Sequence, residues 1–386
     1  MELDKGLTVG AIFVDFRKAF DSLSHSILSL KLQAVGICGN LHEWLMNYLS
    51  DRSQCTLVNG YISDLTLVQY GIPQGSLLGP RLYTIYVNDL PDAITLGNVL
   101  MYADDTTIYC IRKCFDEVCL KLNKILDELR LWSLRSKLSI HPIKTEAMIL
   151  TKQGFIGPAP PILFGDMYVN VVDHTTCLGL TIDNCLSWSK HICHIKKLFS
   201  QKVGALKRMR QLPPKVLEEI YFKSIIPAVI YCILVWGKCS SALLNSLNPI
   251  HDRAARLIHD QDDLQSLNWL PLSYFYKRRL LLFMFDVIKH NVPDDLASLF
   301  TLKSGSRPSR RGSQFVIPCV KYEIGKQSIQ YRGPTIWTFL NRLININESI
   351  SKDKFKQILR RFSKDINNFS FRAPMIAYKH DHYVYF

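Results

Sequence analysis

The stretch "MYADDTTIY", residues 101–109, sets two adjacent carboxylates, Asp104 and Asp105, inside an otherwise apolar run. Val99, Leu100, Met101, Tyr102 and Ala103 precede the pair, and Ile108 and Tyr109 follow it. Apolar residues on both sides predict two strands joined by an acidic turn. Two explanations fit that turn. A wet hairpin tip tolerates acids at no cost. A metal site at a strand turn requires them, and it also requires a third acid from elsewhere in the chain.

Asp15 is the candidate third acid. It closes "VGAIFVDF", residues 9–16, whose apolar run predicts a strand buried on both faces. By itself Asp15 also fits an acid that caps the turn after a strand. If the strands carrying Asp15 and Asp104 end together, three carboxylates meet and repel one another unless cations neutralise them. Hard oxygen ligands suit Mg²⁺, with Mn²⁺ as a substitute. Two such ions about 4 Å apart serve in-line phosphoryl transfer, which sets an expected separation of roughly 8 Å or less between the carboxylate carbons.

Outward from this centre, a helix is expected from about Ser22, with Leu28, Leu32 and Val35 on one face and Gly36 at its end. Asn40 and Glu43 read as a capping pair for a second helix. Asn59-Gly60 marks a hairpin turn. "GIPQGS" is a loop, and "SLLGPRLYTIYVNDL" a helix after it. Val118, Leu122, Ile125, Leu129 and Trp132 define the buried face of a long helix over 115–133. "EAMILT" and "CLGLTI" are short strands, and from about 185 helices dominate. The order predicts an α+β region followed by a helical one. "KSGSRPSRRGS", residues 303–313, reads as a basic loop or tether.

The chain has 386 residues, 47 Lys and Arg against 33 Asp and Glu, and a formal charge of +14. That surplus favours a polyanionic partner, nucleic acid before membrane. The longest apolar run, Ile225 to Trp236, contains Pro227 and at about 12 residues is too short to span a bilayer. Eleven cysteines without regular spacing, and no secretory leader pattern, predict a reduced, intracellular protein. Cys185, His191, Cys193 and His194 fit no standard zinc spacing.

"FVDFRKAFD", "GIPQGSLLGP", "YADD", "LSIHPIKTEAMIL" and "CLGLTID" occur in that order. The set resembles the palm motifs A to E of reverse transcriptases. "KAFDSLSHSIL", "LLGPRLYTIYVNDLP" and "MYADDTTIY" narrow the resemblance to the non-LTR, jockey-type retrotransposon enzymes. "LSWSKHI", "HDRAARLI", "LNWLPL" and "YRGPTIW" resemble the region these enzymes carry beyond the polymerase. The resemblance implies a right-hand palm at about 1–183, a helical thumb at about 184–270 and a C-terminal region at 271–386. It implies RNA-directed DNA synthesis from dNTPs on an RNA template and a DNA primer, with two Mg²⁺.

By motif position, the resemblance makes Asp15 and Asp104 the main metal ligands, Asp105 the third carboxylate and Phe16 a carbonyl donor. Phe20 falls at the gate that excludes a ribose 2′-OH, although it also fits plain core. Pro73, Gln74 and Gly75 would line the incoming nucleotide. Lys144 would protonate the leaving pyrophosphate, although it also fits a solvated strand-end charge. Cys177, Leu178 and Gly179 would lie on the hairpin that grips the primer end. Lys190, Lys196, Lys197, Lys202, Lys207, Arg208 and Arg210 are the expected nucleic-acid contacts. The family also implies a nuclear and cytoplasmic ribonucleoprotein location. Asp15 stands so early in the sequence that the fingers of such an enzyme are largely missing from it, which predicts a truncated copy of weak or no activity. Two other readings stay open: a non-catalytic nucleic-acid-binding remnant, and an intron-maturase-like RNA-binding factor.

Overall fold

Thr8–Val14 form the first strand, β1, and its alternation decides which way it faces. Thr8, Gly10, Ile12 and Val14 are buried on one face, and on the other Ala11 is buried between half-buried Val9 and Phe13. The expected burial on both faces holds at Ala11 and is incomplete at Val9 and Phe13, so the second face is covered less fully than the first. The computed structural model describes residues 1–152, 160–259, 269–303, 314–344, 346 and 349–371. They divide into two compact units, the first from Gly6 to Leu186 with Glu2. The second runs from Ser187 onward and includes Met1 and Leu3–Lys5.

In the first unit, α1 (His25–Ala34) ends beside Gly36, whose φ of +86° suits a residue without Cβ. Asn40 does not cap α2 (Gly39–Leu49); Cys38 holds the N-cap position and makes no side-chain cap bond. The pair β2 (Ser53–Gln54) and β5 (Thr66–Leu67) flanks the pair β3 (Leu57–Val58) and β4 (Tyr61–Ile62). Asn59 and Gly60, both at positive φ, close the inner hairpin as an Asn-Gly turn requires. The single helix expected after "GIPQGS" divides into α3 (Gly79–Val87) and α4 (Leu90–Ala93). Pro91, in the first turn of α4, has no N–H with which to continue the ladder. Next come β6 (Asn98–Tyr102), β7 (Asp105–Arg112), α5 (Phe115–Arg135) and β8 (Glu146–Leu150). The short strands β9 (Leu163–Phe164), β10 (Met167–Tyr168), β11 (Asn170–Val171), β12 (His174–Cys177) and β13 (Leu180–Asp183) complete the unit.

The main sheet has the order β11-β8-β1-β7-β6, antiparallel except for the parallel β11–β8 pair. This mixed sheet with packed helices is the α+β architecture of a palm-like domain. Helix α5 buries Val118, Leu122, Ile125, Leu129 and Trp132, the face that its spacing predicted. It comes so close to β1 that a Cβ on Gly10 would stand 2.4 Å from Val118 Cγ1. Glycine in mid-strand is therefore the condition for this packing.

The second unit is helical. It contains α6 (Ser189–Lys207), α7 (Pro214–Ile220), a π-helical turn (Tyr221–Ile225), α8 (Ile226–Val229) and α9 (Ile233–Trp236). These are followed by α10 (Ser241–Asn245), α11 (Asn248–His259), α12 (Leu272–Ile288) and α13 (Asp294–Ala297). The last four are α14 (Glu323–Lys326), α15 (Ile329–Ile344), α16 (Lys352–Arg361) and α17 (Ser363–Asn368). Residues on both sides of position 270 belong to this one unit. The expected basic loop falls, from 304 to 313, outside the described residues. Among the described residues no helix is long and apolar enough to cross a membrane.

Candidate active site

The acidic pair stands on a two-residue turn. Tyr102 pairs with Asp105, so Ala103 and Asp104 form the tip of the β6–β7 hairpin. Ala103 has φ +53°, a left-handed conformation that a residue with Cβ adopts at a cost. Asp104 and Asp105 are exposed and Asp15 is half-buried, so the acids sit at a wet strand end rather than within a core.

Register brings Asp15 to them. In the antiparallel β1–β7 pair the register ends with Val14 opposite Thr106, so Asp15 and Asp105 are the next residues beyond that pair on the two chains. Thr106, Ile108 and Cys110 of β7 point into the core. Asp105 and Thr107 therefore face the other way, the open face on which Phe13 and Asp15 also stand. Their charges meet as well as their positions: partial burial first, then the negative charges of Asp104 and of Asp15, raise the Asp105 pKa. The three do not close into a ready metal cage; among the described residues no group of three His, Cys, Asp or Glu side chains does. All three nonetheless offer hard oxygen donors whose mutual repulsion a divalent cation relieves, so the chemistry of this donor set suits a divalent cation.

The segment after α5 anchors the strand end. His141 N–H donates to the Asp15 carbonyl at 2.8 Å, and Arg17 N–H donates to the Ser139 carbonyl at 2.8 Å. These bonds frame Phe16, which is buried and pairs with Ile140, and they do not use its carbonyl. Thr145 Oγ1, fully buried, accepts the Asp15 N–H at 3.3 Å. Lys144 beside it is exposed.

The "GIPQGS" loop is fastened to the turn that follows Asp15. Ile72 N–H donates to the Phe20 carbonyl at 2.9 Å, and Gly71 N–H to the Leu23 carbonyl at 2.8 Å. A Cβ at Gly71 would stand 2.6 Å from the Asp21 carbonyl oxygen, so only glycine permits this approach. Gln74 donates from Nε2 to Asp21 at 2.8 Å, while Pro73 is half-buried and Gly75 exposed. Half-buried Phe20 stacks on Tyr83 of α3, with ring centroids 4.7 Å apart.

Tyr83 was missed by sequence reasoning. Its hydroxyl is buried without a hydrogen-bond partner. Burial, then the charge of Asp104, pushes its pKa well up. The signal available was only its place on the buried stripe of α3 with Leu82, Tyr86 and Val87, which reads as plain core. Thr145 was missed for the same reason.

Cys177 closes the strand pairing of the β12–β13 hairpin, and Leu178 and Gly179, both at positive φ, are its turn. The Thr107 hydroxyl of β7 donates to the Cys177 sulfur, which favours the thiolate, but burial first and then the nearby charge of Asp105 outweigh that bond and raise the Cys177 pKa. The hairpin therefore stands beside the acidic strand. In the second unit, α6 buries His191, Ile192, Ile195, Phe199, Val203 and Leu206. Its opposite face exposes Lys190, Lys196, Lys197 and Lys207, with Lys202 half-buried; Arg208 and Arg210 are exposed just beyond its end. His191 itself packs between the rings of Trp188 and Trp236.

A mixed sheet with carboxylates at adjoining strand ends and a glycine-rich loop fastened beside them defines a polymerase palm-like domain. Residues 3–182 match the reverse transcriptase (RNA-dependent DNA polymerase) family, and the chain is similar to the RNA-directed DNA polymerases of non-LTR retrotransposons. It is 26% identical over 261 residues to the probable RNA-directed DNA polymerase from transposon BS of Drosophila melanogaster, covering 65% of this chain and 29% of that protein. It is 26% identical over 269 residues to the RNA-directed DNA polymerase from mobile element jockey of Drosophila funebris, covering 66% and 29% respectively. The probable RNA-directed DNA polymerase from transposon X-element of Drosophila melanogaster is 26% identical over 256 residues, covering 64% and 28%. The chain spans less than a third of the length of these curated relatives.

Proposed function

We propose that this chain carries the catalytic centre of an RNA-directed DNA polymerase that extends a DNA primer on an RNA template with dNTPs. The observation that supports this reading is that the β1–β7 register ends at Val14 and Thr106, leaving Asp15 and Asp105 next to each other's strand ends beside the Asp104 turn, where the charges of Asp104 and Asp15 act on Asp105. Asp15 and Asp104, with Asp105 and the Phe16 carbonyl, would hold Mg²⁺ or Mn²⁺. When bound, two such ions activate the primer 3′-hydroxyl and offset the charge of the leaving pyrophosphate.

The remaining roles belong to the protein's own groups. The Phe20 ring, backed by Tyr83, would lie under the sugar and exclude a 2′-hydroxyl. Gln74, Pro73 and Gly75 would position the nucleotide, with Gln74 steadied by Asp21. Lys144, solvated and near the strand end, would give its proton to pyrophosphate. Cys177, Leu178 and Gly179 would support the primer end. The basic face of α6, followed by Arg208 and Arg210, would hold the duplex in the manner of a thumb. A nuclear and cytoplasmic ribonucleoprotein location follows from the family reading.

The test is extension of oligo(dT) on poly(rA) with dTTP and Mg²⁺. Extension by this chain should be weak, as its sequence predicts, and what there is should stop on chelation and be lost in Asp104→Ala and in Asp15→Ala. Extension by Asp104→Ala at the parent rate would overturn the assignment.

A further inference from the structure

The helical unit contains a cavity of about 770 Å³ that polymerisation chemistry leaves unexplained. It lies among α10, α12, α14 and α15 and the segment after α17. The charged side chains on its wall are Lys277, Lys326, Arg332 and Glu323. Glu323 faces Lys326 at 3.7 Å, which leaves Lys277 and Arg332 as surplus positive charge among the described residues of the wall.

Both surplus cations are fixed in place. Lys277 is only 8% exposed, and its Nζ donates to the carbonyls of Asn367 at 2.5 Å and Phe369 at 2.7 Å. Two carbonyls orient the ammonium group without neutralising it, and burial lowers its pKa to about 8. Arg332 donates from Nε to the Lys326 carbonyl at 3.2 Å, and its guanidinium lies over the Phe371 ring at 4.9 Å and the Tyr276 ring at 5.8 Å. The same positive charge acts on neighbouring Lys238, whose pKa burial and Arg332 lower to about 8. A buried, oriented ammonium group and a half-buried guanidinium, neither in an ion pair with an acid among the described residues, suit an anionic ligand.

The rest of the wall limits that ligand. The volume is in the range of sites for drug-sized molecules and is far more than a bare phosphate needs. Half-buried Tyr331 and Phe371 supply aromatic surface, and Ser240, Ser241 and Gln327 supply hydrogen-bonding groups. Phosphate-seeking cations beside aromatic rings are the combination that takes one unit of a single strand.

We propose that this cavity binds a nucleoside phosphate, free or as one unit of single-stranded nucleic acid, with its phosphate toward Arg332 and Lys277 and its base against the aromatic wall. The site is separate from the acidic strand ends and does not depend on the polymerase reading. The step is reversible binding, with no bond made or broken.

The experiment is calorimetric titration of the full 386-residue protein with AMP, adenosine and inorganic phosphate, in EDTA. Asp104→Asn serves as the control for the polymerase site. AMP should bind the parent and Asp104→Asn proteins equally, and adenosine or phosphate should bind at least about tenfold more weakly. Arg332→Gln should weaken AMP by about tenfold or more, because it removes charge-assisted donors. Lys326→Gln alters a half-exposed side chain and guards against misfolding; with an unchanged melting temperature it should weaken AMP about threefold or more. Competition by an unlabelled (rA)12 strand would assign the site to a strand, and absence of competition to a free nucleotide; either supports it. Loss of AMP binding in Asp104→Asn, equal binding of phosphate and AMP, or full affinity in both Arg332→Gln and Lys326→Gln would overturn it.

Discussion

Tyr83 ties the proposed sugar gate to the acidic turn, because its ring supports Phe20 and its hydroxyl feels Asp104. The hydroxyl has no partner, so Tyr83→Phe should leave stability unchanged or raise it by about 1 kcal/mol. Tyr83→Ala removes the ring itself and should cost about 3 kcal/mol. Urea unfolding of the two variants separates these outcomes. Loss of stability in Tyr83→Phe would mean that the hydroxyl is satisfied after all. If Phe20 acts as the gate, Phe20→Ala should narrow the preference for dGTP over GTP in primer extension. An unchanged preference would return Phe20 to the core. The acids were legible because ionised groups beside apolar strands need a reason. Tyr83 and Thr145 were not, since a buried aromatic or hydroxyl on an element's inner face has an ordinary explanation in packing.

The β6–β7 hairpin has its strain in one backbone position. Ala103 at φ +53° pays about 1 kcal/mol that glycine would not. Ala103→Gly should therefore keep or raise the melting temperature, and Ala103→Val should lower it. The reverse order in a thermal melt would show that the turn is unstrained. On α6, buried and basic faces follow one helical period, so its outer charges can be changed without touching the core. Lys196→Glu with Lys197→Glu should weaken primer–template binding and reduce the slope of log affinity against log salt by about two or more. An unaltered slope in fluorescence anisotropy would mark this face as merely solvated. The long helix α5 was legible to within two residues of its end. Asn40 was misread, because a capping pair in sequence does not fix where the chain enters a helix.

At the scale of the whole molecule, the beginning of the chain helps to hold the helical unit. Asp4, buried, accepts the backbone N–H groups of Tyr322 at 2.7 Å and Lys321 at 2.9 Å. A Cβ on Gly325 would stand 2.5 Å from the same carboxylate. Burial raises the Asp4 pKa, and the amides of Lys321 and Tyr322, the positive charge of the amino terminus and the Gly325 amide together more than offset it, leaving it below 3.8. A carboxylate with a depressed folded pKa stabilises fully above its unfolded value and loses that contribution as pH falls through the folded one. Asp4→Ala should thus destabilise the helical unit by about 1–2 kcal/mol near neutral pH. Asp4→Asn should remove this residue's share of the stability lost below pH 3.8. Tryptophan fluorescence on acid titration measures both, and an acid limb identical to the parent's would assign that limb to other groups.

From its sequence alone this protein declared its acids, its strand and helix periods, and the order of its motifs. Each is local: an acid after an apolar run, a stripe every three or four residues, a Gly-Pro-Gln-Gly loop. The sequence also carried the charge surplus, but not which cations would be buried. Only the tertiary structure decided that Asp15 and Asp105 share a sheet face, because β-pairing over about 90 residues depends on register, and a one-residue slip moves a side chain to the other side. It likewise gathered Lys277, Arg332 and Phe371 around one cavity from three separate segments. Long-range packing sets such neighbours, and no period in the chain encodes them.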